Sequence, residues 1–174
     1  GNEIGYPIVL KIASEKITHK TEVKGVRINI QNEKELVDNY HNMCEATGES
    51  SVFLQKMMRG HEFIIGAKRD NQFGIVILLG LGGIYAELIQ SVVSFIYPFS
   101  FEYMMKKVRV SKVQKIIDGF RGTAPVDEDK LFEIVDRLGM LMNTYSEIKE
   151  IDLNPTLASD SGLHIVDGRM ILLQ

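Results

Sequence analysis

Glu147-Ile148-Lys149-Glu150-Ile151-Asp152-Leu153-Asn154-Pro155 decides how the rest of this chain is read. Ile148, Ile151 and Leu153 are apolar, while Glu150, Asp152 and Asn154 recur at every second residue. On a strand, that period sets the polar three on one face and the hydrophobes on the other. Pro155 cannot donate to a ladder, so the strand is expected to end there. A second apolar strand, His164 to Asp167, begins 12 residues after Asp152 and ends in another carboxylate. Adjacent strands would offer Asp152, Asn154 and Asp167 to one small volume. Such oxygens on rigid strands suit a hard cation such as Mg²⁺, which keeps waters and shares its shell with phosphates. A half-solvated strand with ordinary acids facing water fits the same spacing.

Working outward, 174 residues with 45% hydrophobic and 25% charged side chains make one ordinary globular domain with a real core. A net charge of −3 argues against a broad nucleic-acid surface. The basic run Lys106, Lys107, Arg109, Lys112 and Lys115 reads as solvated helix faces. The one cysteine, Cys44, makes no internal disulfide and fits a reducing compartment. It shares an expected helix face with Leu36, Val37, Tyr40 and Met43 and reads as a small buried hydrophobe. The apolar run Gly74 to Ala86 is too short and glycine-rich to span a bilayer, and no signal peptide is visible. Cytoplasm is the expected compartment.

Residues 1–7 read as the tail of an element whose body is missing, so the chain is expected to be a fragment or to have lost its beginning. Ile8 to Ala13 is a strand with Lys11 near its middle. A lysine there either reaches a cleft or an anion, or stands at a strand end in solvent. Ser14 to Lys24 is a polar loop carrying His19, which can titrate or act as a nucleophile near neutral pH or stay idle. Val26 to Ile30 alternates with Arg27 and Asn29 as a second strand. Asn32 then caps a helix to about Gly48, with Glu35 in the capping-box position.

Val52 to Met57, Glu62 to Arg69 and Phe73 to Leu79 are further strands, with a turn at Asp70-Asn71-Gln72. They deliver Gly80-Leu81-Gly82-Gly83, where backbone N–H groups can approach an anion or simply turn tightly. Val92 to Tyr97 is another strand, and the chain is helical from Phe101. Arg121, in Phe120-Arg121-Gly122, reads either as an anion contact or as helix termination. Asp127 caps the clearest helix, with Leu131, Ile134, Val135, Leu138, Leu141, Met142 and Tyr145 as its core stripe. The order predicts an α+β fold with two lobes.

Seven stretches together resemble an ATP-grasp domain, and more narrowly the β subunit or β-like domain of ADP-forming acetate–CoA ligases. They are Gly5-Tyr6-Pro7-Ile8-Val9-Leu10-Lys11-Ile12, Ile17-Thr18-His19-Lys20, Leu54-Gln55-Lys56-Met57, Lys68-Arg69-Asp70-Asn71-Gln72-Phe73-Gly74, Gly80-Leu81-Gly82-Gly83-Ile84, Gly119-Phe120-Arg121-Gly122 and Glu150-Ile151-Asp152-Leu153-Asn154-Pro155. The resemblance implies two lobes, each a mainly antiparallel sheet with packed helices, and a nucleotide cleft between them. Residues 1–58 would form the first lobe, incomplete at its N-terminus, and 59–174 the second, with the metal site.

The resemblance also implies roles. Lys11 would meet nucleotide phosphate, Gln55, Lys56 and Met57 would bond adenine at a hinge, and Glu62 would take the ribose hydroxyls. Asn154 and Asp167 match the Mg²⁺ ligands of the related succinate–CoA ligase β subunit, with Asp152 beside them. His19 would carry the phosphoryl group on a moving loop. Arg69 or Arg121 would add positive charge, with Gly82 and Gly83 near the nucleotide. The cofactors implied are ATP or ADP with Mg²⁺, and the partner is a CoA-binding α subunit or fused domain, with no nucleic acid or membrane involved. Lys24-Gly25 stands where the family has paired glycines, and Ser94 to Pro98 lacks the family's arginine. The isolated chain is expected to be inactive if the missing front is essential. Another ATP-grasp ligase with His19 idle, or a non-catalytic ATP-binding regulatory module, would share the same fold.

Overall fold

The computed structural model describes residues 1–14, 23–83, 91–119 and 124–173. The chain divides into two compact units, Gly1–Met58 and Arg59–Gln174.

In the first unit, β1 (Ile8–Ile12) is the middle of an antiparallel sheet of order β2-β1-β3, with β2 spanning Val26–Ile30 and β3 Val52–Lys56. Helix α1, Glu33–Thr47, packs on one face. The Asn32 side chain accepts from the Glu35 N–H at 3.0 Å, and the Glu35 carboxylate accepts from the Gln31 N–H at 2.8 Å. These bonds satisfy donors that the first turn leaves orphaned. Gly48, left-handed at φ 71°, ends the helix by donating to the Cys44 carbonyl. Ile8, Leu10 and Ile12 point to α1 and meet Ile30 and Met43 in a small core.

The alternation expected in β2 does not survive. Ile30 is buried but Ile28 is 65% exposed, because left-handed Asn29 (φ 61°) sits in a bulge where three β2 steps oppose two of β1. In α1, Met43 faces the core and Cys44 is half-buried, while Val37 is turned outward.

The second unit holds a six-stranded sheet of order β6-β5-β4-β7-β8, with β9 also paired to β7. Its strands are β4 (His61–Asp70), β5 (Gly74–Leu81), β6 (Val92–Ile96), β7 (Ile148–Ser159), β8 (Gly162–Ile165) and β9 (Arg169–Leu172). Helices α2 (Phe101–Arg109), α3 (Gln114–Ile117) and α4 (Glu128–Thr144) cover one face. Registered rows Phe63–Leu81, Ile65–Leu79–Val93 and Ala67–Ile77–Phe95 point into that face. Leu131, Val135, Leu138 and Met142 of α4 meet them as expected, but Tyr145 is 49% exposed at the helix end.

The decisive stretch differs from expectation in two ways. β7 does not end at Pro155 but runs on to Ser159, since Leu153 and Thr156 oppose Ile65 and Phe63 with one residue extra. Pro155 falls inside that irregularity, where its missing N–H costs no ladder bond. Ile148 does not follow the alternation either. A bulge between Ile148 and Glu150 lets both Ile148 and Ile151 enter the core. Strand β9 was not expected at all.

Candidate functional site

The interruption in β7 positions the polar residues. β9 pairs with Ile148 to Asp152, and β8 pairs with Thr156 to Ser159. The link 166–168 between them therefore lies opposite Leu153 to Pro155. There the Asn154 N–H donates to the Asp167 carbonyl at 3.2 Å, and the Val166 N–H donates to the Pro155 carbonyl at 3.2 Å. One Asp167 carboxylate oxygen accepts from the Gly168 N–H at 3.0 Å. Asn154, Asp167 and Asp152 thus share one short stretch of sheet, although Asp167 sits on a link and not at the end of a strand.

Charge is crowded here. Burial holds the Asp152 carboxyl above the ordinary aspartate range, Glu150 and Asp167 push the same way, and Arg169, its partner across the β7–β9 pair, opposes them. Two carboxylates and an amide, all hard oxygen donors, fit a small divalent cation that would offset this repulsion and keep part of its water shell. Among the described residues no group of three or more His, Cys, Asp or Glu side chains is placed to hold a metal.

On the open face of the same sheet, Glu62 lies against the glycine turn. The Gly82 N–H donates to the Glu62 carbonyl at 2.7 Å. A Cβ at Gly82 would come within 3.0 Å of the Glu62 Cβ, and one at Gly83 within 3.0 Å of its carboxyl carbon. Gly83 is also left-handed at φ 57°. These glycines let the chain pass close over Glu62.

In the first unit Lys11 is 8% exposed in the central strand. It lies opposite Phe53, and Val9 opposite Gln55, so Lys11 and Gln55 share the face that α1 does not cover. A lysine ammonium this buried needs anionic or hydrogen-bonding company. The solvent-facing reading of Lys11 falls. Gln55 and Lys56 are exposed, and the Met57 N–H is spent on the Pro7 carbonyl at 3.0 Å.

Arg69 has another occupation. Its guanidinium donates to the carbonyls of Met142 at 2.5 Å, Tyr145 at 3.3 Å and Ile148 at 3.4 Å, tying the end of α4 to the start of β7. With its guanidinium so engaged, Arg69 serves the joint between α4 and β7. His19 and Arg121 lie outside the described residues. Arg169 was missed by the sequence reading because it joins the site only through the pairing of β9.

With this geometry in hand, the ATP-grasp domain family matches residues 1–172. The chain belongs to the ATP-grasp family. It is 38% identical over 178 residues to the β subunit of acetate–CoA ligase (ADP-forming) I of Pyrococcus furiosus, covering 98% of this chain and 77% of that protein. It is also 38% identical to the 4-hydroxybutyrate–CoA ligase (ADP-forming) of Nitrosopumilus maritimus, covering 97% of this chain but 26% of that longer one. Relatives thus include both a separate β subunit and much longer single chains.

Among solved structures, a dinucleotide forming acetyl-coenzyme A synthetase 1 of Ca. Korarchaeum cryptofilum, in complex with coenzyme A and Ca-AMPCP, superposes with a TM-score of 0.90 at 36% identity, covering 99% of this chain and 79% of that one. A second structure of that enzyme holds Mg-AMPPCP with its phosphohistidine segment pointing towards the nucleotide site, and gives a TM-score of 0.84 at 37% identity, covering 99% of this chain and 79% of that one. The two sequence relatives are ADP-forming CoA ligases, and the solved enzyme holds coenzyme A together with a nucleotide analogue. No helix among the described residues is long and apolar enough to cross a membrane.

Proposed function

We propose that this chain is the nucleotide-binding, phosphoryl-transferring part of an ADP-forming acyl-CoA ligase. The reaction is reversible, with acyl-CoA, ADP and phosphate giving carboxylate, ATP and CoA. The observation that carries this reading is the opposition of Asn154 and Asp167 across the β7 interruption, with Asp152 alongside. It gains weight from 38% identity to an acetate–CoA ligase β subunit.

Asn154 and Asp167 would hold Mg²⁺, with Asp152 as a further ligand or an acceptor for its water. The ion supplies charge neutralisation for the polyphosphate. Lys11 holds nucleotide phosphate as a compact cation. Glu62, pressed between β4 and the glycine turn, takes the ribose hydroxyls, with Gly82 and Gly83 keeping its carboxylate in place. Gln55, Lys56 and Met57 meet the adenine edge, and Arg121 adds positive charge near the phosphates.

In the ATP-consuming direction, the neutral imidazole of His19 attacks the γ-phosphorus of ATP. A nitrogen–phosphorus bond forms, the bond to the β–γ bridging oxygen breaks, and ADP leaves with that electron pair. In the opposite direction the same bond is remade on ADP. Acyl-CoA chemistry belongs to a CoA-binding α subunit or a fused domain.

The test is phosphorylation with γ-labelled ATP and Mg²⁺. Acid-labile label on the wild type and none on His19→Ala is expected. Nucleotide binding without label on either would sink the ligase reading in favour of a binding module.

A further inference from the structure

Gly66 stands at the middle of β4 with no structural reason to be glycine. Glycine inside a strand usually marks a bulge, a bend, a close backbone approach, or a place where a ligand comes near. Among the described residues the first three are not found. Gly66 pairs in register with Leu78 on one side and Asp152 on the other, and the irregularity in the β4–β7 ladder falls earlier, between Phe63 and Ile65. It is not among the glycines with positive φ. Among the described residues, a Cβ added there would meet a single atom within 4 Å, the Ile151 carbonyl oxygen at 3.6 Å, which is ordinary contact. Other glycines of this sheet differ. A Cβ at Gly80 would come within 3.1 Å of Val92, and one at Gly82 within 3.0 Å of Glu62.

Strand alternation places the missing side chain of Gly66 on the open face, with Glu62, Ile64 and Lys68, away from the helix-covered core. Its registered neighbour there is Asp152, which in turn pairs with Arg169. The gap therefore lies beside the crowded carboxylates and on the same strand face as Glu62. A strand position that forgoes a side chain gives up backbone order and packing in the free protein.

We infer that Gly66 is a clearance position, which keeps the sheet floor bare where the phosphates of a Mg²⁺-bound nucleotide lie beside Asp152. This rests on the nucleotide reading proposed above. Gly66 makes no contact of its own. It sets how close the polyphosphate comes to the sheet.

The test compares wild type, Gly66→Ala and Gly66→Val in this chain, reading thermal midpoint without ligand and affinity for Mg-AMPPCP by calorimetry. Both variants are expected to hold or raise the midpoint, since alanine and valine favour a strand over glycine. Affinity is expected to fall from glycine to alanine to valine, by about tenfold or more at valine. Wild-type affinity in Gly66→Val overturns the inference while the proposed function stands. A lowered midpoint in Gly66→Ala also overturns it, because the glycine would then be structural. Should Gly66→Val not fold, the alanine variant decides alone. A wild type that binds no Mg-nucleotide removes the proposed function and this inference together.

Discussion

The two units solve the same problem with unequal means. Among the described residues, the first buries five in its core cluster, Ile8, Leu10, Ile12, Ile30 and Met43, under a single helix. Among them too, the second buries a cluster several times larger, between six strands and three helices, with Phe63 and Phe95 its largest fully buried side chains. A core as small as the first can hold a sheet in shape but has little stability to spare. The first carries one bulge, at Asn29, whereas the second carries a proline and two pairing irregularities in β7 and an in-register glycine in β4. The difference teaches where a site can be placed. Crowded carboxylates cost stability, and they sit on the unit whose core can offset that cost.

The largest expected effect breaks the larger core. Phe63→Ala should cost about 3–5 kcal/mol, measured by urea unfolding followed through the second unit. Met43→Ala, in the smaller core, should cost about 2–5 kcal/mol, and its damage should stay local. Amide exchange should quicken across Ile8–Ile12 and α1, while Phe63 to Leu81 keeps its protection. Equal loss of protection in both units would end the contrast drawn here.

Next comes the buried lysine. Lys11→Met keeps the stem and removes the charge, so Mg-AMPPCP affinity should fall by roughly 10–100-fold, the worth of one charge-assisted contact. Unchanged affinity would remove Lys11 from the nucleotide site.

Asp152 provides a pH test of the carboxylate crowding. Its pKa is raised in the fold, so the stability it contributes is present below the ordinary value of 3.8 and is lost as pH rises through the folded value. At neutral pH the ionised group therefore burdens the unliganded protein. Asp152→Asn should raise the thermal midpoint at pH 7, with the gain fading below pH 3.8, and should weaken Mg²⁺ binding. A midpoint gain of the same size at both pH values would refute the assignment.

The smallest effects are at the helix caps. Asn32→Ala should cost about 1 kcal/mol, with less change across pH than Asp127→Ala, because its own cap acceptor is a neutral amide. Asp127 accepts from the Lys130 N–H at 3.1 Å, and this bond lowers its pKa. Its contribution should be full above 3.8 and disappear as pH falls through the lower folded value. Thermal melts of Asn32→Ala and Asp127→Ala across that range separate a neutral cap from a charged one.

Much of this was legible in the chain because it is local. Asn32 with Glu35, Gly48, and Asp127 ahead of its apolar stripe bound their helices through bonds a few residues long. The strands of β4 and β5 follow from apolar runs joined at Asp70, whose carboxylate accepts from the Gln72 and Phe73 N–H groups. Wherever alternation alone was the guide, a bulge could defeat it. At Asn29 and at Lys149 one additional residue reverses which face the neighbours occupy, and no local pattern marks the slip.

By itself, then, the sequence determined most of the element types, the capped helix ends and the α+β class, since each rests on short-range hydrogen bonding and hydrophobic period. It also held the motifs by which the chain resembles ATP-grasp ligases. Only the tertiary structure decided that Arg69 ties α4 to β7, that Glu62 lies beneath the glycine turn, and that Asp167 meets Asn154 through a link between two strands. Those contacts join residues far apart in the chain, and pairing register, which depends on the whole sheet, sets which of them meet.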